Sequence, residues 1–127
     1  MSVPITTTID RETGLRTHVA TGVLTPEELD SELRNAYRRP DFRPEAHSLF
    51  DAREAQLDAF AGAEVRHVVE TVLKFRGAPP GTRTAIVVGH DLGFGLARMF
   101  EQQFEAKEPS DVMVFRDMDE AVSWLKD

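Results

Sequence analysis

Apolar and β-branched residues gather in short runs along this chain, separated by stretches in which apolar positions recur at the period of a helix. Ile5 to Ile9 and Leu15 to Val23 are rich in Thr, Val and Ile and flank the polar segment Asp10-Arg11-Glu12-Thr13-Gly14. That pattern predicts two strands joined by a glycine-ended turn. In the second run Thr17, Val19, Thr21 and Val23 alternate with Arg16, His18, Ala20 and Gly22, so its two faces are unlike. Thr25-Pro26-Glu27-Glu28 opens a helix with a cap, a proline at the first helical position and a capping-box glutamate. Leu29, Leu33, Ala36 and Tyr37 share one face of it, and Pro40 and Pro44 mark the loop that follows.

A third strand is predicted at about His47 to Ala52. Gly62 to Phe75 then reads as a helix, with Val65, Val68, Val69, Val72 and Leu73 on a core-facing stripe. Gly77 and Pro79-Pro80-Gly81 stop it. Thr84 to Val88 is apolar throughout its last four residues, as expected of a central strand covered on both sides. After Gly89-His90-Asp91 a helix carries Leu92, Leu96, Met99, Phe100 and Phe104 on one stripe, and Pro109 breaks it. Val112 to Phe115 makes a fifth strand, and Asp117-Met118-Asp119-Glu120 reads as a second capping box opening a last helix with Ala121, Val122, Trp124 and Leu125.

The order β-β-α-β-α-β-α-β-α implies right-handed crossovers and a mostly parallel five-stranded sheet, with the first strand antiparallel at an edge. No repeat or low-complexity stretch divides the chain, so residues 1–127 are expected to form one α/β domain.

Composition narrows the partners. A net charge of −7 with dispersed basic residues argues against nucleic acid, whose binding depends on neutralising phosphates. No apolar run approaches bilayer length, so no membrane insertion is expected. The start Met1-Ser2-Val3-Pro4 carries no secretion signal and the chain has no cysteine, which together point to the cytoplasm.

The strand Thr82-Arg83-Thr84-Ala85-Ile86-Val87-Val88-Gly89 and the closing Val114-Phe115-Arg116-Asp117 leading into Ala121-Val122-Ser123-Trp124-Leu125 resemble the STAS superfamily, and within it the SpoIIAA-like group of small bacterial proteins. Phe94-Gly95-Leu96-Ala97-Arg98-Met99 adds to the likeness. The resemblance implies a binding or regulatory module acting through a protein partner or a homodimer. It also implies a Ser or Thr phospho-switch at the helix after the third strand. Ala52 to Ala63 contains no hydroxyl, so that switch is not expected here. Asp58 lies in this stretch and is expected to cap the helix. A similar β-α order occurs in SEC14-like lipid-binding domains, so a small apolar or lipid-like ligand against the sheet face is the alternative.

No nucleophile elbow, phosphate loop, dinucleotide fingerprint or zinc motif is present, and no enzyme, cofactor or metal is expected. His18, His47, His67 and His90 have no ligand-like spacing, and His67 falls opposite the apolar stripe of its helix. The glycine-rich Gly89 to Gly95 could cradle an anion at a helix start. Tight packing is the simpler role for its glycines. Ligands in parallel sheets gather at the carboxyl ends of strands, where Asp51, Arg53, His90 and Asp91 are expected, with Arg116 and Asp117 nearby. Such a cluster could serve acid–base chemistry, but a surface ion-pair and capping network is favoured. Phe94, off the main stripe and between two glycines, is expected to pack as a plug of the loop slightly ahead of being exposed, and is the leading single candidate for a partner contact.

Overall fold

The computed structural model describes residues 4–107 and 111–127. Pro109, the expected helix breaker, lies outside them. Nine elements follow the predicted order: β1 Ile5–Ile9, β2 Arg16–Val23, α1 Pro26–Tyr37, β3 Ser48–Gln56, α2 Gly62–Phe75, β4 Arg83–Val88, α3 Asp91–Glu105, β5 Asp111–Phe115 and α4 Met118–Lys126. The strands lie in the order β1-β2-β3-β4-β5, with β1 antiparallel to β2 and every other pair parallel. β4 is interior, as its apolar run suggested, but the middle strand is β3.

Because the sheet advances one strand at a time in a single direction, right-handed crossovers place α1, α2 and α3 on the same face. Leu29 and Leu33 of α1, Val69 and Val72 of α2, and Ala97 and Phe104 of α3 join Ala20, Ala52, Val88 and Val112 of the sheet in one core. α4 packs alone on the opposite face, where Ala121 and Leu125 meet Leu49, Ala85 and Val87.

Local chemistry sets most boundaries. The capping box of α1 is complete, with Glu28 N–H donating to Thr25 Oγ1 and Thr25 N–H to Glu28 Oε1. At α4 only the forward half forms, from Glu120 N–H to Asp117 Oδ1. β3 is longer than its sequence suggests. Val19 pairs with Asp51 but Thr21 pairs with Glu54, so β3 holds one extra residue in a bulge. Beyond it Arg53 to Gln56 have poor strand propensity, and pairing with β2 keeps them extended. The helix that follows therefore begins later than Asp58. Its N-cap is Ala61, whose N–H donates to Glu64 Oε1, and the expected capping by Asp58 is not found.

Two alternations resolve against simple expectation. On β2 the residues turned to the helices are Arg16, His18 and Ala20, while Val19 and Val23 face solvent. On α3 the buried positions are Gly93, Ala97, Glu101 and Phe104; Leu92 is exposed, and Leu96, Met99 and Phe100 are half-buried.

Candidate functional site

The displaced α3 stripe and the inverted β2 face border the same empty space. α1 sits against β1 and α3 against β4 and β5, while α2 packs between α1 and α3, with Val69 and Val72 in the core they share with the sheet. Beneath α2, over β2, β3 and β4, lies a cavity of about 130 Å3. That volume is comparable to the ~150 Å3 apolar cavities that admit a benzene-sized guest.

Its floor is ordered by the strand register. Arg16, Ser48 and Thr84 form one row at the amino ends of the parallel strands, and His18, Phe50 and Ile86 form the next. Ala52 and Val88 follow. The floor thus grades from polar to apolar along the strands. Leu29, Leu33 and Tyr37 of α1, Val65, Val68 and Val72 of α2, and Leu96, Ala97 and Phe100 of α3 complete the walls.

The polar end is cationic. Arg16 is only 2% exposed, and its guanidinium lies 5.4 Å from the Tyr37 ring centroid and 4.9 Å from that of Phe42. Its Nε and Nη1 have no hydrogen-bond partner, and no carboxylate pairs with it among the described residues. Burial, with Arg76 adding repulsion, lowers its pKa to about 10, so it remains a cation at neutral pH. Ring contacts of this kind are worth about 0.5–2 kcal/mol, whereas desolvating a cation costs several kcal/mol. The aromatic cage alone does not offset the burial.

His18 lies beside it. The Thr7 hydroxyl donates to Glu32 Oε2 at 2.6 Å, so the 2.8 Å contact from His18 Nδ1 to Thr7 Oγ1 carries the imidazole proton. Burial, then Arg16 and Arg76, push the His18 pKa down to about 3. The ring is neutral at pH 7. Arg76, the C-cap of α2, lines the same end, and Ser48 Oγ meets Thr84 Oγ1 at 3.0 Å.

The candidates at the carboxyl ends of the strands form separate local pairs, none lining the cavity. Asp51, on the face that α4 covers, pairs with Arg53 at 2.9 Å, and that contact holds its carboxyl below the usual range. Asp91 pairs with Arg116 at 2.9 Å. His90 caps α3: Gly93 N–H donates to its Nδ1, and its Nε2–H donates to the Ala55 carbonyl. No bond joins these groups into one cluster among the described residues. The glycines of this turn serve close approach. A Cβ on Gly89 would lie 2.8 Å from the Arg53 carbonyl oxygen, and one on Gly93 would lie 3.0 Å from the His90 ring. Phe94 is half-buried against the core, with the Arg116 guanidinium 4.5 Å above its ring. His67 is largely exposed, 3.4 Å from Asp30.

No protein-family model matches the chain, and no curated protein matches it. Among solved structures, an uncharacterized DUF3478-family protein with a SpoIIAA-like fold, from Shewanella loihica PV-4, superposes with a TM-score of 0.60. The alignment covers 95% of this chain and 93% of that one, at 23% identity.

The fold is SpoIIAA-like.

At that identity the likeness is one of architecture. Within this SpoIIAA-like frame the helix after the third strand carries a single hydroxyl, Thr71, which is buried and donates to Asp30 at 2.6 Å. Sequence reasoning passed over Arg16, Tyr37, Ser48, Thr84 and Arg76. The signal that marks them was visible in part, as the unlike faces of β2, but which face turns inward is settled by the helices. Among the described residues no helix is long and apolar enough to cross a membrane.

Proposed function

We propose that this SpoIIAA-like domain is a non-enzymatic binding module whose ligand is a small apolar or amphipathic molecule held between the sheet and α2. The observation that carries the reading is the cavity of about 130 Å3 over the middle of the sheet. Its walls and the far part of its floor are apolar side chains, so an apolar guest gains close contacts there that water does not supply. A protein partner or a second copy was the first expectation, with Phe94 the leading contact; that ring is half-buried against the core, with the Arg116 guanidinium over it. The non-enzymatic part rests on the strand-end carboxylates and His90, each of which is engaged by a local partner.

The test is calorimetric titration with toluene, a neutral apolar molecule of the size the cavity admits. Saturable, stoichiometric binding is expected, and Ala97→Phe, which fills the cavity from α3, should weaken it at least tenfold while the protein stays folded. Binding unchanged in a folded Ala97→Phe protein would place the probe elsewhere and sink the reading.

A further inference from the structure

We infer that the ligand is a single-chain amphiphile with a carboxylate head, and that Arg16 is the residue that holds the head. This rests on the cavity being the ligand site.

Three features of the site meet in this inference. Arg16 is 2% exposed, lines the cavity, and has Nε and Nη1 without a hydrogen-bond partner. A guanidinium desolvated in this way needs an anion, and its planar fork matches the two oxygens of a carboxylate. The cation sits at one end only. From the row Arg16, Ser48 and Thr84 the floor passes through Phe50 and Ile86 to Ala52 and Val88, where every lining side chain is apolar. A molecule that satisfies both ends is charged at its head and hydrocarbon along its body. The volume of about 130 Å3 suits one short chain of a few carbons.

The neighbours favour a carboxylate over a cationic or neutral head. Arg16 and Arg76 both lower the His18 pKa, so cations and not carboxylates dominate what the imidazole meets. Glu32, which reaches His18 through Thr7, accepts from the Thr7 hydroxyl. Ser48 and Thr84, bonded to each other, lie in the Arg16 row, and the hydroxyl whose proton is not used in that bond is placed to donate to a second carboxylate oxygen. The protein as a whole is acidic, with a net charge of −7, so this cationic pocket is a local feature selecting an anion that the outer surface repels.

The experiment compares hexanoate with hexanol, both close to the size the cavity admits, by isothermal titration calorimetry on the whole domain. Wild type should bind hexanoate at least tenfold more tightly than hexanol. Arg16→Met, similar in length but uncharged, should lose that preference while keeping its affinity for hexanol, and it should melt no lower than wild type because an unpaired buried charge has been removed. Arg16→Lys should keep a reduced preference and serves if the methionine variant fails to fold. Equal affinity of wild type for the two probes, or a carboxylate preference that survives in Arg16→Met, would overturn the inference while leaving the apolar site standing. Failure of hexanoate, hexanol and toluene alike would instead remove the cavity as a ligand site, and this inference with it.

Discussion

His18 is 3% exposed and neutral, and that combination ties the stability of the domain to pH. Its native pKa is pushed from 6.5 down to about 3, first by burial and then by Arg16 and Arg76. In the unfolded chain it takes up a proton near the ordinary histidine value of about 6.5. Between those two values the unfolded state binds more protons than the native one, so stability falls as pH falls. The contribution is whole above pH 6.5 and fully lost only below the native value of about 3. His47 is shifted the same way by burial and Arg83, while Asp30 and Asp51, held below their usual values, act at lower pH. Urea unfolding should therefore show a loss of roughly 1–2 kcal/mol from about pH 6.5 to about pH 5. In His18→Asn, whose amide can still donate to Thr7, that loss should shrink to the share of His47. An unchanged slope in the variant would assign the titration elsewhere. Nothing in the local sequence announces this histidine as buried; its place on an alternating strand is compatible with either face.

α2 is the element on which a ligand site beneath it depends. Its apolar stripe, Val65, Val69 and Val72 with half-buried Val68 and Leu73, was legible from spacing alone, and so were its bounds. Its partners were not. The stripe meets α1, α3 and the roof of a cavity, and α2 is tied sideways to α1 by Thr71 and Asp30. A helix that roofs a cavity has fewer buried contacts to break when it opens than one on a filled floor, and its amides belong to the low end of the local stability range. Hydrogen exchange should find the Val65 to Leu73 amides exchanging faster than those of Leu49 to Ala52 and Ala85 to Val88. Saturation with toluene should slow the α2 amides selectively. Exchange in α2 as slow as in the sheet, with no response to the probe, would mean that ligands reach the cavity by another route. The α3 stripe teaches a related point. Leu96 and Phe100 have the spacing of core residues, but they line the space and so stay half-buried. Periodicity locates an apolar face, not what covers it.

For the whole molecule, occupancy of the cavity is linked to global stability, since the unfolded chain has no cavity to bind with. A ligand at a hundred times its Kd stabilises the native state by about 2.7 kcal/mol. In a domain of this size that raises Tm by roughly ten degrees. Hexanoate should produce a shift of this order that grows with the logarithm of its concentration, and Ala97→Phe should abolish it. A flat Tm across the titration would contradict binding to the native state. The net charge of −7 does not enter this balance directly, because Arg16 and Arg76 face inward while the acidic excess lies outside.

Sequence patterning by itself determined the nine-element order, the antiparallel first strand, the capping of α1 by Thr25 and Glu28, and the interior character of β4. These are local properties: period, cap chemistry and β-branched content act over a few residues, and crossover handedness converts them into a topology. General fold rules pointed to the strand ends as a place for ligands, with ion pairs and caps the favoured role of the groups there, and Asp51, Asp91 and His90 are engaged in such pairs and caps. The cavity and its cationic end were decided only by tertiary structure. Three helices on one face of a five-stranded sheet leave the third, α2, bridging the other two, and the space beneath it turns Arg16, His18, Ser48 and Thr84 from surface-like residues into the floor of a buried site. No window of sequence contains that information, because the floor is assembled from three strands and the walls and roof from three helices.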